Sequence, residues 1–149
     1  MRTLSRDSVK KVGQKITVKG WVNSRRDHGG LIFIDLRDHT GILQLVISPE
    51  STKAFELAEK CRDEYVLSVT GEVKLRADNL QNDNIETGKV ELVVDELEVL
   101  NKSQPLPIAV NDDGQKSNEE LRLKYRFLDL RRSKMQNMLK RRADFYTEI

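Results

Sequence analysis

The 149 residues suffice for one domain of ordinary size with an apolar core and some appended structure. A single cysteine excludes an intrachain disulfide framework. No apolar run reaches the length of a membrane span or a leader, so a reduced, cytosolic protein with no membrane partner is expected. The net charge of +2 averages over unlike blocks: nine Lys/Arg against five Asp/Glu in residues 1–50, seven against fourteen in 51–114, and ten against five in 115–149. Basicity is thus local to the two ends, and it points to nucleic acid only in combination with other features.

Residues 15–23 read as a strand with Ile16, Val18 and Val22 on one face and Thr17, Lys19 and Trp21 on the other, Trp21 at a half-buried rim. The run RRDHGGLIFIDLRD follows. Its Gly29-Gly30 turn leads to a strand over 31–37 with Ile32, Ile34 and Leu36 inward and Phe33, Asp35 and Arg37 outward. A Phe among charged residues is either an isolated surface ring or a platform on which an unpaired base can stack. Beyond His39-Thr40-Gly41, a third strand over 42–47 sets Leu43, Leu45 and Ile47 opposite Gln44, which places the Gln44 amide near Phe33.

Residues 51–62 carry Ala54, Phe55, Leu57, Ala58 and Cys61 at helical spacing, with Cys61 a small buried thiol. Residues 65–76 return to alternation: Tyr65, Leu67, Val69, Val73 and Leu75 face one way, and Lys74 and Arg76 project together on the other. Residues 77–89 read as a long polar loop of the kind that often carries function. The fifth strand, 90–101, sets Glu91 against Val90, Leu92 and Val94, and its phase changes near Asp95-Glu96 as at a bulge. By itself Glu91 reads as an edge charge that discourages aggregation.

Three strands, a helix and two strands give a mainly β fold: a five-stranded oligonucleotide-binding (OB) barrel over 1–102, with one helix between its third and fourth strands. The segment KSQPLPIAVNDDGQKS reads as a linker over 103–117. A helical extension over 118–149 follows. Asn118 caps a helix bearing Leu121, Tyr125 and Leu128, and a second helix from Ser133 carries the stripe Met135, Met138, Leu139, Ala143, Tyr146 and Ile149. That stripe has no stop signal and suggests a chain cut inside a larger protein.

Together, RRDHGGLIFIDLRD, TGKVE at 87–91 and LRLKYRFLDLRR at 121–132 resemble the amino-terminal part of bacterial-type aspartyl-tRNA synthetases, in register over essentially the whole chain. The resemblance implies an anticodon-binding barrel, a hinge and the start of a class II catalytic domain. It implies that Phe33 stacks on an anticodon base, Gln44 reads the middle uridine, and Glu91 accepts hydrogen bonds from the guanine at the first position. Arg26, Lys74, Arg76 and Asn82 match further anticodon contacts, Lys74 standing where the family more often has Arg.

His28 replaces a Leu frequent in the family near the third anticodon base, where aspartate and asparagine tRNAs differ. This motivates the expectation that both tRNAs are substrates. The resemblance further implies that the parent enzyme uses ATP and Mg²⁺ and is a homodimer, while this chain binds no cofactor and, alone, is inactive. An asparaginyl- or lysyl-type domain and a sequence-tolerant single-strand-binding barrel are the alternatives.

Overall fold

The computed structural model describes residues 2–111 and 117–148, so the part of the expected linker at 112–116, and Ile149 of the last helix, lie outside the described residues. The chain divides into two compact units, Met1–Ser103 and Gln104–Ile149.

In the first unit the strands are β1 (Arg2–Thr3), β2 (Lys15–His28), β3 (Leu31–Asp38), β4 (Gly41–Ile47), β5 (Val66–Leu75) and β6 (Val90–Asn101), with helix α1 (Thr52–Glu59) between β4 and β5. The order β2-β3-β4-β6-β5 closes through a β2–β5 pairing, which makes a five-stranded mixed barrel of the OB type with β1 added in parallel beside β2. Strand alternation fills the barrel with Val18, Val22, Ile32, Ile34, Leu36, Leu43, Leu45, Ile47, Leu67, Val69, Val73 and Leu92, and Ala54, Ala58 and Cys61 join this core from α1 and the residues after it. Burial pushes the Cys61 thiol up to about 11, against the pull of the nearby Arg25 charge, so it is inert at neutral pH.

Two departures from regularity shape the barrel. The Gly29-Gly30 turn joins β2 to β3 with both φ angles positive (60° and 79°), the two-residue geometry that matches strand twist and that glycine adopts without strain. In β6, Thr70 pairs with Glu96 and Gly71 with Val94, so Asp95 is the extra residue of the expected bulge. There the strands approach so closely that a Cβ on Gly71 would lie 2.0 Å from the Val93 carbonyl oxygen.

Several expectations change. β2 runs on to His28 rather than ending at Asn23, because its second half leaves β5 and pairs with β3 across an irregularity at Asn23. Leu75, expected inward, is 64% exposed where β5 runs out beyond the barrel. The unpredicted β1 and a 3₁₀ turn over Arg6–Lys11 are held by Asp38, whose carboxylate accepts from the Ser5 N–H (2.8 Å), the Thr40 N–H (2.7 Å) and the Thr40 hydroxyl (2.6 Å).

Burial pushes the Asp38 pKa up, but the bonds from Thr40 and Ser5 outweigh this and leave it below its ordinary 3.8. A lowered folded value contributes stability that is complete above the unfolded pKa and is lost as pH falls through the folded one. Urea titrations from neutral to strongly acidic pH should therefore show an acid loss of stability that is shallower in Asp38→Asn; identical acid limbs would show that the carboxylate contributes nothing.

In the second unit, α2 (Glu119–Lys124), α3 (Arg126–Asp129) and α4 (Ser133–Thr147) follow a segment whose Ile108 and Val110 are buried with Leu128. Asn118 caps α2 as expected, its Oδ1 accepting from the Leu121 N–H at 2.8 Å. Asp129, fully buried, accepts from Arg122 (2.9 Å) and Arg126 (2.8 Å), and these partners hold its carboxyl below the ordinary range, Arg122 foremost. On α4, Met135 is buried whereas Met138, Leu139 and Tyr146 are exposed.

Candidate nucleic-acid interface

Along β3, Phe33, Asp35 and Arg37 face outward, and the pairing registers extend each into a row. Phe33 lies between Arg26 and Val46, and Asp35 between Ser24 and Gln44. Polar side chains close on one another across these rows. Arg26 Nη2 donates to both Asp35 oxygens (3.0 and 3.1 Å) and reaches the Gln44 Oε1 at 3.4 Å. Gln44 Nε2 donates to Glu91 at 3.3 Å, and Glu91 stands 3.9 Å from Arg76 Nε. The Ser24 hydroxyl donates to Asp35 at 2.8 Å. The half-buried Phe33 ring borders this network.

Arg76 is the buried member, its side chain only 5% exposed. Its Nε donates to the Val90 carbonyl at 3.0 Å, and its Nη2 has no hydrogen-bond partner. Burial lowers its pKa from the ordinary value while the facing Glu91 works against that shift, so a cation is held directly behind a carboxylate. Glu91, 23% exposed, stands between that cation and solvent.

The structure thus brings Arg26, Phe33, Gln44, Arg76 and Glu91 together. Lys74 lies opposite Glu91 in register, but its Nζ is 3.6 Å from Glu72. His28 is exposed beside the β2–β3 turn, paired in register with Leu31. Asn82 sits in the loop between β5 and β6, its N–H bonded to the Gly88 carbonyl (3.1 Å) and its side-chain oxygen accepting from the Asn84 N–H (3.0 Å), so its acceptor serves the loop's own turn.

The loop is tied to the barrel by Thr87, whose hydroxyl donates to the Ile42 carbonyl, and by an Arg6–Glu86 pair at 2.8 Å. Asp35 pairs with Arg26, and Arg37 pairs with Glu64, a partner that strand alternation gives no means of finding. Arg25 points the other way, its Nε capping the end of α1 at the Ala58 carbonyl (2.9 Å).

An outward aromatic beside a basic and amide-bearing network, on a barrel of this topology, offers base stacking and base-edge hydrogen bonds together. The profile of the OB-fold nucleic acid binding domain, of the tRNA anticodon type, matches residues 16–100. The chain belongs to this anticodon-binding family.

Among relatives of this anticodon-binding OB-fold domain, the aspartate–tRNA(Asp/Asn) ligase of Sulfurovum sp. (strain NBC37-1) is 50% identical over 133 residues, which cover 89% of this chain and 22% of that protein. The enzyme of the same name from Endomicrobium trichonymphae is 54% identical over 138 residues, covering 93% and 24%. The chain therefore spans less than a quarter of the length of these curated relatives. Among solved structures, the asparaginyl-tRNA synthetase from Pyrococcus horikoshii complexed with asparaginyl-adenylate superposes with a TM-score of 0.72 at 30% identity, covering 88% of this chain and 29% of that one.

Proposed function

We propose that this chain is the anticodon-reading part of an aspartate–tRNA ligase that accepts both aspartate and asparagine tRNAs. The observation that carries the reading is the Arg26–Gln44–Glu91–Arg76 network bordering Phe33. In this reading Phe33 stacks on an anticodon base. Gln44, which donates and accepts at once, reads the middle uridine, and Glu91 accepts from the guanine ring N–H and exocyclic amine. Arg26, Lys74 and Arg76 supply positive charge to the backbone and the splayed loop, and Asn82 and His28 border it from the two neighbouring loops.

In this reading the exposed His28 leaves C and U at the third position undistinguished, in keeping with the aspartate–tRNA(Asp/Asn) ligases of Sulfurovum and Endomicrobium. The parent enzyme would be a cytoplasmic class II synthetase, a homodimer using ATP and Mg²⁺. Among the described residues no group of three His, Cys, Asp or Glu could hold a metal ion. No described helix is long and apolar enough to cross a membrane. An asparaginyl-type domain is the second reading, favoured by the Pyrococcus horikoshii likeness but at much lower identity than the aspartate ligases.

The test is a titration, at fixed salt, with anticodon stem-loops differing in one base. Replacing the middle U by A should weaken binding more than about tenfold, roughly 1.4 kcal/mol, whereas C against U at the third position should change it less than about threefold. Equal binding of the U and A forms would make the barrel a sequence-tolerant single-strand binder. A tenfold third-base preference would remove asparagine or aspartate tRNA from the substrates.

A further inference from the structure

The outward face of β2–β4 does not end at Asp35 and Gln44. One row further along, Trp21 stands opposite Arg37, which stands opposite Ile42. Trp21, the one tryptophan of the chain, is 38% exposed at the point where β2 exchanges β5 for β3 as its partner. That exposure opens Trp21 to solvent on the face it shares with Arg37. Arg37 beside it is clamped: Nη2 donates to both oxygens of Glu64 (2.7 and 2.9 Å), and Nη1 donates to the Asn23 Oδ1 (2.9 Å). Glu64 is buried and holds a left-handed backbone at φ 65°, a conformation that persists only where the surroundings over-determine it. A buried carboxylate and the Asn23 amide oxygen thus orient the Arg37 guanidinium beside the exposed Trp21.

From Phe33 to Arg37 is four residues of strand, about 13 Å at ~3.3 Å per residue. An unstacked strand whose bases are splayed out rises roughly twice the ~3.4 Å of a stacked one, so this distance corresponds to about two nucleotides. Resting on the anticodon reading of the Phe33 face, we infer that Trp21, flanked by Arg37, is a second stacking platform, occupied by a nucleotide about two positions along the loop from the one on Phe33. Phe33 and Trp21 then hold the loop at two points, with the base-edge readers between them.

A lone tryptophan makes the test direct. The whole chain is titrated with the anticodon stem-loop while indole emission and its quenching by acrylamide are followed. Emission should change saturably and acrylamide access should fall. Trp21→Leu should weaken binding about five- to twentyfold, while Trp21→Phe stays within about threefold. In a scan of abasic substitutions round the loop, one position should abolish the difference between Trp21 and Trp21→Leu, about two nucleotides from the position that abolishes the effect of Phe33→Ala; if no abasic position removes the difference, the platform is overturned.

Saturable, Phe33-dependent binding with indole emission and acrylamide access unchanged would overturn the Trp21 platform and leave the anticodon reading standing. No binding at all would overturn that reading and the platform with it. Should Trp21→Leu fail to fold, the emission and abasic measurements on the native chain still decide.

Discussion

Phe33→Ala should weaken binding of the cognate anticodon stem-loop by about ten- to a hundredfold at fixed salt, since stacking on an aromatic contributes roughly 1–3 kcal/mol per base. The ring is half-buried, outward-facing and flanked by Arg26 and Val46, so its removal takes away one face of the base-binding surface without opening the core. No charge is lost. The dependence of log affinity on log salt should therefore keep its slope, whereas Arg26→Ala should make that slope shallower. Phe33→Leu separates stacking from plain apolar area and should recover only part of the loss. Affinity measured at three salt concentrations tests all of this; wild-type affinity in Phe33→Ala, or a changed salt slope, would show that the ring does not carry a base.

Leu45→Ala should cost about 2–5 kcal/mol of stability, the range for large-to-small changes at fully buried sites. Leu45 has no exposed surface and lies in register between Ile34 of β3 and Leu92 of β6, at a seam where three strands meet. Its neighbour Gln44 points to the opposite side, into the polar network. Stability and recognition should thus separate along a single strand: urea unfolding shifts strongly, while the folded fraction binds RNA within about threefold of the parent. A stability change below about 1 kcal/mol would mean that the barrel repacks around the cavity, and an RNA defect without a stability change would mean that Leu45 positions Gln44.

Alternation made the barrel legible because most of its strands are solvated on one face and packed on the other, so Ile32, Ile34 and Leu36 could be set against Phe33, Asp35 and Arg37 without coordinates. It failed where the backbone departs from period two. The irregularity at Asn23 hid the second half of β2, whose residues Ser24 to His28 read as a charged turn. β1 is two residues long and exists through its pairing with β2, a contact that local pattern does not encode.

The outward placement of Gln44 and Glu91 was readable, and their joining through Arg26 and Arg76 was not, because side chains 47 residues apart in sequence meet only when β4 and β6 pair. At Asn82 the hidden part is local: the bond by which its carboxamide oxygen shapes the loop's turn cannot be read from composition.

On the anticodon reading proposed above, the chain of hydrogen bonds from Asp35 through Arg26 and Gln44 to Glu91 also bears on how a correct anticodon is told from a wrong one. In the free chain these groups already satisfy one another, so an incoming base gains only the difference between the bonds it makes and those it displaces. A matching base roughly breaks even on polar contacts, and its binding is driven by stacking and phosphate charge. A mismatched base breaks that chain and leaves donors or a carboxylate facing nothing, which is a penalty and not merely a missing gain. On that reading the domain selects by rejection more than by grip, and the measured preference for a cognate loop should exceed the gain in affinity it brings.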